Sequence, residues 1–175
     1  MVATKPRAGN AIPETMDDVY TKPGYLFRRM QQIAVSIFLE ECRDVDLTPV
    51  QYAALVAIRT HPGVDATRLS ALIAYDRSTL GSVVERLETK GWIRREGGSS
   101  DKRVKLLLLT AKGTSLLRQV MGAVDRAQAR MLAPLKPADR TTLMTLLSQL
   151  VDLNNEVSRV PLRPEDAMEH IRKAE

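Results

Sequence analysis

The sequence predicts a mainly α-helical fold with one small β-hairpin set between long helices. Three observations lead there. Aromatic residues make up only 4% of the chain and the 44% apolar share is mostly Leu, Val, Ala and Met, which favours helices over sheets. Apolar residues recur at helical spacing in one segment after another. Between residues 76 and 105 one such segment, Asp76-Arg-Ser-Thr-Leu-Gly-Ser-Val-Val-Glu-Arg-Leu-Glu-Thr-Lys-Gly-Trp92, runs straight into a basic turn-rich stretch, Ile93-Arg-Arg-Glu-Gly-Gly-Ser-Ser-Asp-Lys-Arg-Val-Lys105.

Residues 1–21 carry Pro6, Gly9, Pro13 and scattered charges, and are expected to form a flexible N-terminal arm. A long amphipathic helix follows over Gly24 to Arg43. Leu26, Phe27, Met30, Ile33, Ala34, Ile37 and Phe38 give it an unusually wide apolar face, suited to burial on two sides. Thr48-Pro49-Val50-Gln51 is a strong helix start. Thr48 can cap, Pro49 suits the first helical position and Gln51 can close a capping box. That helix should end near His61-Pro62-Gly63.

Asp65 should cap a short helix bearing Leu69, Leu72 and Ile73. After a tight turn Asp76 caps the next, which Gly91 ends. In it Leu80, Val83, Val84 and Leu87 fall at i, i+3, i+4 and i+7, the spacing of a buried face. Two short helices joined this closely are the helix-turn-helix pattern. Trp92 to Glu96 and Val104 to Leu109 then read as two strands around a Gly97-Gly98-Ser99-Ser100 turn. Thr110 caps another long helix with Leu116, Val120, Val124, Ala127 and Met131, broken by Pro134 and Pro137. A last long helix is expected over Ala138 to Val157, with Leu143, Leu146, Leu147, Leu150 and Leu153, before a short amphipathic segment set off by Pro161 and Pro164.

A helix-turn-helix followed by a basic hairpin is a winged helix-turn-helix, a DNA-reading unit. The first turn of the second helix exposes short polar residues, Arg77, Ser78, Thr79 and Ser82, the surface a helix needs to enter a major groove and touch base edges. Arg77 and Arg86 suit phosphates better than bases, since most protein–DNA hydrogen bonds go to the backbone. Glu85 and Glu88 should face away and offset Arg86 and Lys90. Lys102 and Arg103 at the hairpin tip extend the basic surface. The net charge of +5 and a pI near 9.6 agree with a polyanion partner without requiring one.

The long helices flanking this unit carry more apolar surface than so small a domain can bury alone. An intertwined two-fold dimer is the expected result. The chain therefore divides into an arm at 1–21, a dimerisation helix at 22–46, a DNA-binding lobe at 47–110, dimerisation helices at 111–159 and a C-terminal tail at 160–175.

From about Pro23 to Val157 the chain resembles the MarR family of bacterial transcription regulators. The resemblance rests on Leu47-Thr-Pro-Val-Gln-Tyr52, on Glu85-Arg-Leu-Glu-Thr-Lys-Gly91, on Asp101-Lys-Arg103 as the family's D-x-R wing signature, and on Leu109-Thr-Ala-Lys-Gly113. It implies a winged-helix homodimer that represses promoters at a pseudo-palindromic operator and lets go when a small molecule binds. By the same resemblance Arg103 enters the minor groove and Asp101 holds an arginine that shapes the wing. Arg94 and Arg95 are both available for that role. The first helix and the Tyr75 to Ser82 stretch are further similar to the branch controlling catabolism of aromatic acids of nicotinate or hydroxycinnamate type.

An aromatic acid needs a cation for its carboxylate and a surface for its ring. Arg28 and Arg29 offer bidentate carboxylate recognition, Gln32 and His61 can hold a ring substituent, and Tyr25 and Tyr52 can stack. The alternative is that these arginines pair with Glu40 or Glu41 of a partner or face water, and that the tyrosines belong to the core.

Two other functional readings stand beside the ligand-released repressor. One is an architectural DNA-binding protein with no effector. The other is a thiol-based redox sensor acting through Cys42, which follows Glu40 and Glu41 near a helix C-terminus, a setting that raises a thiol pKa. No phosphate loop, G-x-S-x-G elbow, H-E-x-x-H or C-x-x-C is present, so no enzyme is expected, and with His61 and His170 the sole histidines neither a zinc site nor a cofactor is. One cysteine, no signal-like N-terminus and no long apolar run lead to the expectation of a cytoplasmic protein with no membrane partner.

Overall fold

The structure, a computed structural model, describes residues 12–97 and 104–163. The chain runs α1 (Asp17–Tyr20), α2 (Pro23–Glu41), a 3-10 turn (Arg43–Val45), α3 (Pro49–Thr60), α4 (Ala66–Leu72) and α5 (Arg77–Thr89). Strands β1 (Ile93–Gly97) and β2 (Lys105–Leu109) follow, then α6 (Ala111–Leu132), α7 (Pro137–Leu153) and a 3-10 turn (Asn155–Val157). It is a mostly helical fold with a two-stranded antiparallel sheet, in the winged-helix arrangement.

Local chemistry sets most boundaries. The Thr48 hydroxyl accepts the Gln51 N–H at 3.3 Å while the Thr48 N–H donates to the Gln51 side chain at 3.1 Å, closing the capping box that starts α3. Gly91, at φ +70°, ends α5: its N–H donates to Glu88 and the Trp92 N–H donates to Leu87. Because Trp92 is used in this cap it lies just outside β1, one residue short of the strand start expected from sequence. Its carbonyl accepts both the N–H and the hydroxyl of Thr110, which ties the end of α5 to the start of α6. The sheet pairs Ile93 with Leu109 and Gly97 with Lys105, and gains an isolated bridge from Val64 to Leu107 that the sequence did not announce.

The core joins all parts of the lobe. Leu47, Leu55, Ile58, Leu69, Leu80, Leu87, Ile93 and Leu107 are fully buried, and Phe38 of α2 and Val120 of α6 join them. α2 packs along α6. α7 differs from its neighbours, for none of its residues is buried. It also ends earlier than its apolar pattern suggests. Asn154 caps it, donating to the Leu150 carbonyl from its backbone N–H at 3.2 Å and from its side chain at 2.8 Å, before the chain enters the last 3-10 turn. The expected N-terminal arm holds the one-turn helix α1, whose Tyr20 ring lies 5.1 Å from that of Tyr25 on α2.

Candidate functional site: a nucleic-acid interface

The site is built on α4, the turn after it and α5. Asp65 caps α4, accepting the N–H groups of Thr67 and Arg68 at 2.8 and 3.0 Å. The turn closes through the buried Ser70, whose hydroxyl donates to the Tyr75 carbonyl at 2.6 Å while its own carbonyl accepts the Tyr75 N–H. Ala74 holds a left-handed conformation there, at φ +48°. Asp76 then caps α5: one carboxylate oxygen accepts the Ser78 N–H at 2.8 Å and also the Ser78 hydroxyl. These bonds hold the Asp76 carboxyl below its ordinary range, the Ser78 hydroxyl most strongly, against the opposing effect of burial. Its other oxygen lies 3.1 Å from Arg159, a residue far along the chain.

With Leu80, Val83, Val84 and Leu87 all buried, α5 is locked by one face. The opposite face presents Arg77, Ser78, Thr79, Gly81, Ser82 and Arg86, every one exposed, and Glu85, expected to face away, lies exposed on the same stripe as Ser78 and Ser82. Gly81, which the sequence reading passed over, adds to the low relief of that face: a Cβ built on it would meet nothing within 4 Å. The Ser82 hydroxyl donates to the Thr79 carbonyl at 2.9 Å.

The charge pairing around α5 corrects the sequence reading. Glu88 takes Arg95 of β1 at 2.9 Å, and Lys90 reaches back 2.8 Å to Asp46, so these pairs run between elements instead of along the helix. Lys90 also sits 4.6 Å above the Trp92 ring. Arg94 pairs with Glu96 on its own strand. The tip residues Asp101, Lys102 and Arg103 lie outside the described residues.

The six candidate effector residues fall into two groups. On α2, Arg28 stands 5.0 Å from the Tyr25 ring and Arg29 donates to Gln32 at 3.1 Å. On α3, the Tyr52 ring lies 6.0 Å from that of Phe38 at the edge of the core. His61, at the end of the same helix, has its Nδ1 2.9 Å from the Thr60 hydroxyl. Glu40 and Glu41 are taken up within the chain by Arg130 and Arg126 of α6. An apolar cavity of about 600 Å³ opens between Phe27, Leu147, Leu150, Val151 and Leu162. A smaller one of about 230 Å³ lies beside Glu41, Cys42 and Arg126. Neither is lined by any of the six. Cys42 is buried, and burial first, then the neighbouring Glu41, pushes its thiol pKa up, the reverse of what a sensor thiol needs. Among the described residues no three His, Cys, Asp or Glu side chains gather to hold a metal, and no helix is long and apolar enough to cross a membrane.

Residues 45–104, the span from the 3-10 turn to the wing, match the MarR family. The transcriptional regulator HosA of Escherichia coli is 30% identical over 107 residues, 61% of this chain and 79% of HosA. This chain belongs to the MarR family. It is accordingly a transcriptional regulator of the MarR type and not an enzyme. Two solved structures show the same fold. BpsR of Bordetella bronchiseptica, whose DNA binding is regulated by 6-hydroxynicotinic acid, is 27% identical over 76% of this chain and 95% of BpsR, with a TM-score of 0.70. The transcriptional repressor CouR bound to a 23-mer DNA duplex is 26% identical over 80% of this chain and 99% of CouR, with a TM-score of 0.71.

Proposed function

We propose that this MarR-type regulator is a homodimeric repressor that reads a pseudo-palindromic operator with α5 and its wing, and is released by a small aromatic carboxylic acid. The observation that carries the DNA half is the shape of α5. One face is anchored in the core, and the other offers Ser78, Thr79, Ser82 and two arginines to a groove, with the exposed Glu85 one turn further along. Arg77, Ser78, Thr79 and Ser82 meet base edges and phosphates, Arg86 and Lys102 meet phosphates, Arg103 enters the minor groove, and Asp101 with Arg94 or Arg95 shapes the wing. The dimer is supported by α7, which has no fully buried residue and exposes Met144, Leu146, Leu150, Val151 and Leu153, and by α2, which exposes Leu26, Phe27, Met30 and Ile33. Residues 22–46 and 111–159 form that dimer layer, and 47–110 the DNA-reading lobe.

The effector half is supported by the similarity to BpsR and by the basic and aromatic groups on α2. In it Arg28 and Arg29 clamp the carboxylate, with Tyr25, Gln32, Tyr52 and His61 around the ring. Release is a population shift. The ligand prefers a dimer whose recognition helices no longer match half-sites about one helical turn apart, and a preference near 1.4 kcal/mol weakens DNA binding tenfold.

Selection of bound sequences from a random duplex pool tests this. The expected product is an inverted repeat that the protein binds as a dimer and leaves when 6-hydroxynicotinate or a related aromatic acid is added. The Arg28→Ala, Arg29→Ala double variant should bind the repeat normally and need at least tenfold more acid for release, as befits a charged hydrogen bond of about 1.5–3 kcal/mol. No enriched sequence overturns the DNA reading, and release of the double variant at the wild-type concentration overturns the clamp.

A further inference from the structure

We infer that residues 154–163 form a strap that fastens the end of α7 to the turn of the helix-turn-helix, with Arg159 as a positioning residue for DNA reading; this rests on α5 being the helix that reads DNA. The strap has its own internal bonding. The Leu162 N–H donates to the Asn155 side chain at 2.8 Å, and the Arg163 guanidinium grips the Glu156 carboxylate with two bonds of 2.6 and 2.7 Å. It therefore crosses the surface as a defined loop.

Where it lands gives it a role. The Arg163 N–H donates at 3.3 Å to the carbonyl of Ala71, which also accepts the Ala74 N–H at 3.4 Å where α4 ends. Four residues earlier Arg159 lies 3.1 Å from Asp76, on the oxygen that the α5 cap does not use. Both ends of the turn are thus tied, and between them sits Ala74 at φ +48°, a conformation alanine does not favour by itself. The Asp76 carboxylate holds Ser78 on one side and Arg159 on the other, so Arg159 fixes the rotamer that orders the first turn of α5. That turn carries Ser78 and Thr79. A turn already ordered has less freedom to lose when DNA arrives. Because the strap continues directly from α7, a shift of α7 is also passed to α5.

Arg159 is mostly exposed, so replacing it leaves the core intact. Operator binding is measured for Arg159→Ala, Arg159→Lys, Asp76→Asn and the Arg159→Ala, Asp76→Asn double variant, with Arg77→Ala as control. Asparagine keeps the cap but removes the charge. Arg159→Ala should weaken binding about fivefold, the upper end for an exposed ion pair, and Arg159→Lys should restore most of it. In the Asp76→Asn background the same replacement should change little, and amide exchange at Ser78 and Thr79 should quicken in free Arg159→Ala protein. Arg159→Ala binding like wild type while Arg77→Ala loses affinity overturns the strap. So does an equal loss in both backgrounds with the salt dependence reduced by about one ion, which marks a direct phosphate contact. Full binding by Arg77→Ala removes the reading of α5 on which the strap depends.

Discussion

Gly113 shows how closely one residue can be specified. It opens α6 with its N–H donated to the Thr110 hydroxyl, and a Cβ built on it would stand 2.1 Å from the Trp92 carbonyl oxygen. That carbonyl is held by Thr110 and cannot swing away. Alanine is the better helix former, but here the clash decides. Gly113→Ala should cost about 2–3 kcal/mol, as overpacking at a rigid contact does, read as a lower urea midpoint. Unchanged stability would falsify the close approach. Cys42 is specified in the opposite sense, as a small apolar side chain. Its buried, raised thiol should react slowly with a disulfide reagent in native protein and fast in denaturant, and mild peroxide should leave DNA binding unchanged. Rapid native labelling would revive the redox reading.

At the scale of elements, the α2–α6 contact carries an ionic clamp at its end. Glu41 receives Arg126 at 3.0 Å and Arg130 at 3.2 Å. Arg126 first, and Arg130 after it, hold the Glu41 carboxyl below its ordinary value, against burial, which raises it. A carboxyl lowered by folding contributes stability above its unfolded pKa, and that contribution is lost as pH falls through the folded value. Glu41→Gln should therefore melt lower than wild type at neutral pH, with the gap closing in acid below the usual carboxylate range. A gap that stays constant with pH would show that the clamp adds nothing.

At the scale of the whole molecule, the unmatched apolar surface is the main fact. α7 runs its full length without a buried residue, and Leu146 and Leu150 stand exposed. Leu146→Glu or Leu150→Glu should place a charge in the dimer layer, cost several kcal/mol of dimer stability and abolish operator binding at the same concentration. Light scattering and DNA titration on the same samples check both. A dimer that survives either change, or a monomeric wild type at micromolar concentration, would refute this use of α7.

The helices, their caps and the place of the wing could be read along the chain, because these depend on residues three or four apart. The Thr48–Gln51 box, the Asp65 and Asp76 caps and the buried Leu80–Leu87 face of α5 stand as their spacing predicts. The low-relief face of α5 was legible for the same reason. What joins residues distant in sequence was decided only by the tertiary structure. Glu88 and Lys90, four or fewer positions from plausible helix partners, pair instead with Arg95 and Asp46, because the chain brings better-placed groups alongside. Nothing near Asp76 announces Arg159, eighty-three positions later by residue number, since α6 and α7 must first turn back to deliver it. Local rules reach one helical turn; ion pairs between elements, and the apolar surfaces left bare, depend on how the whole chain packs.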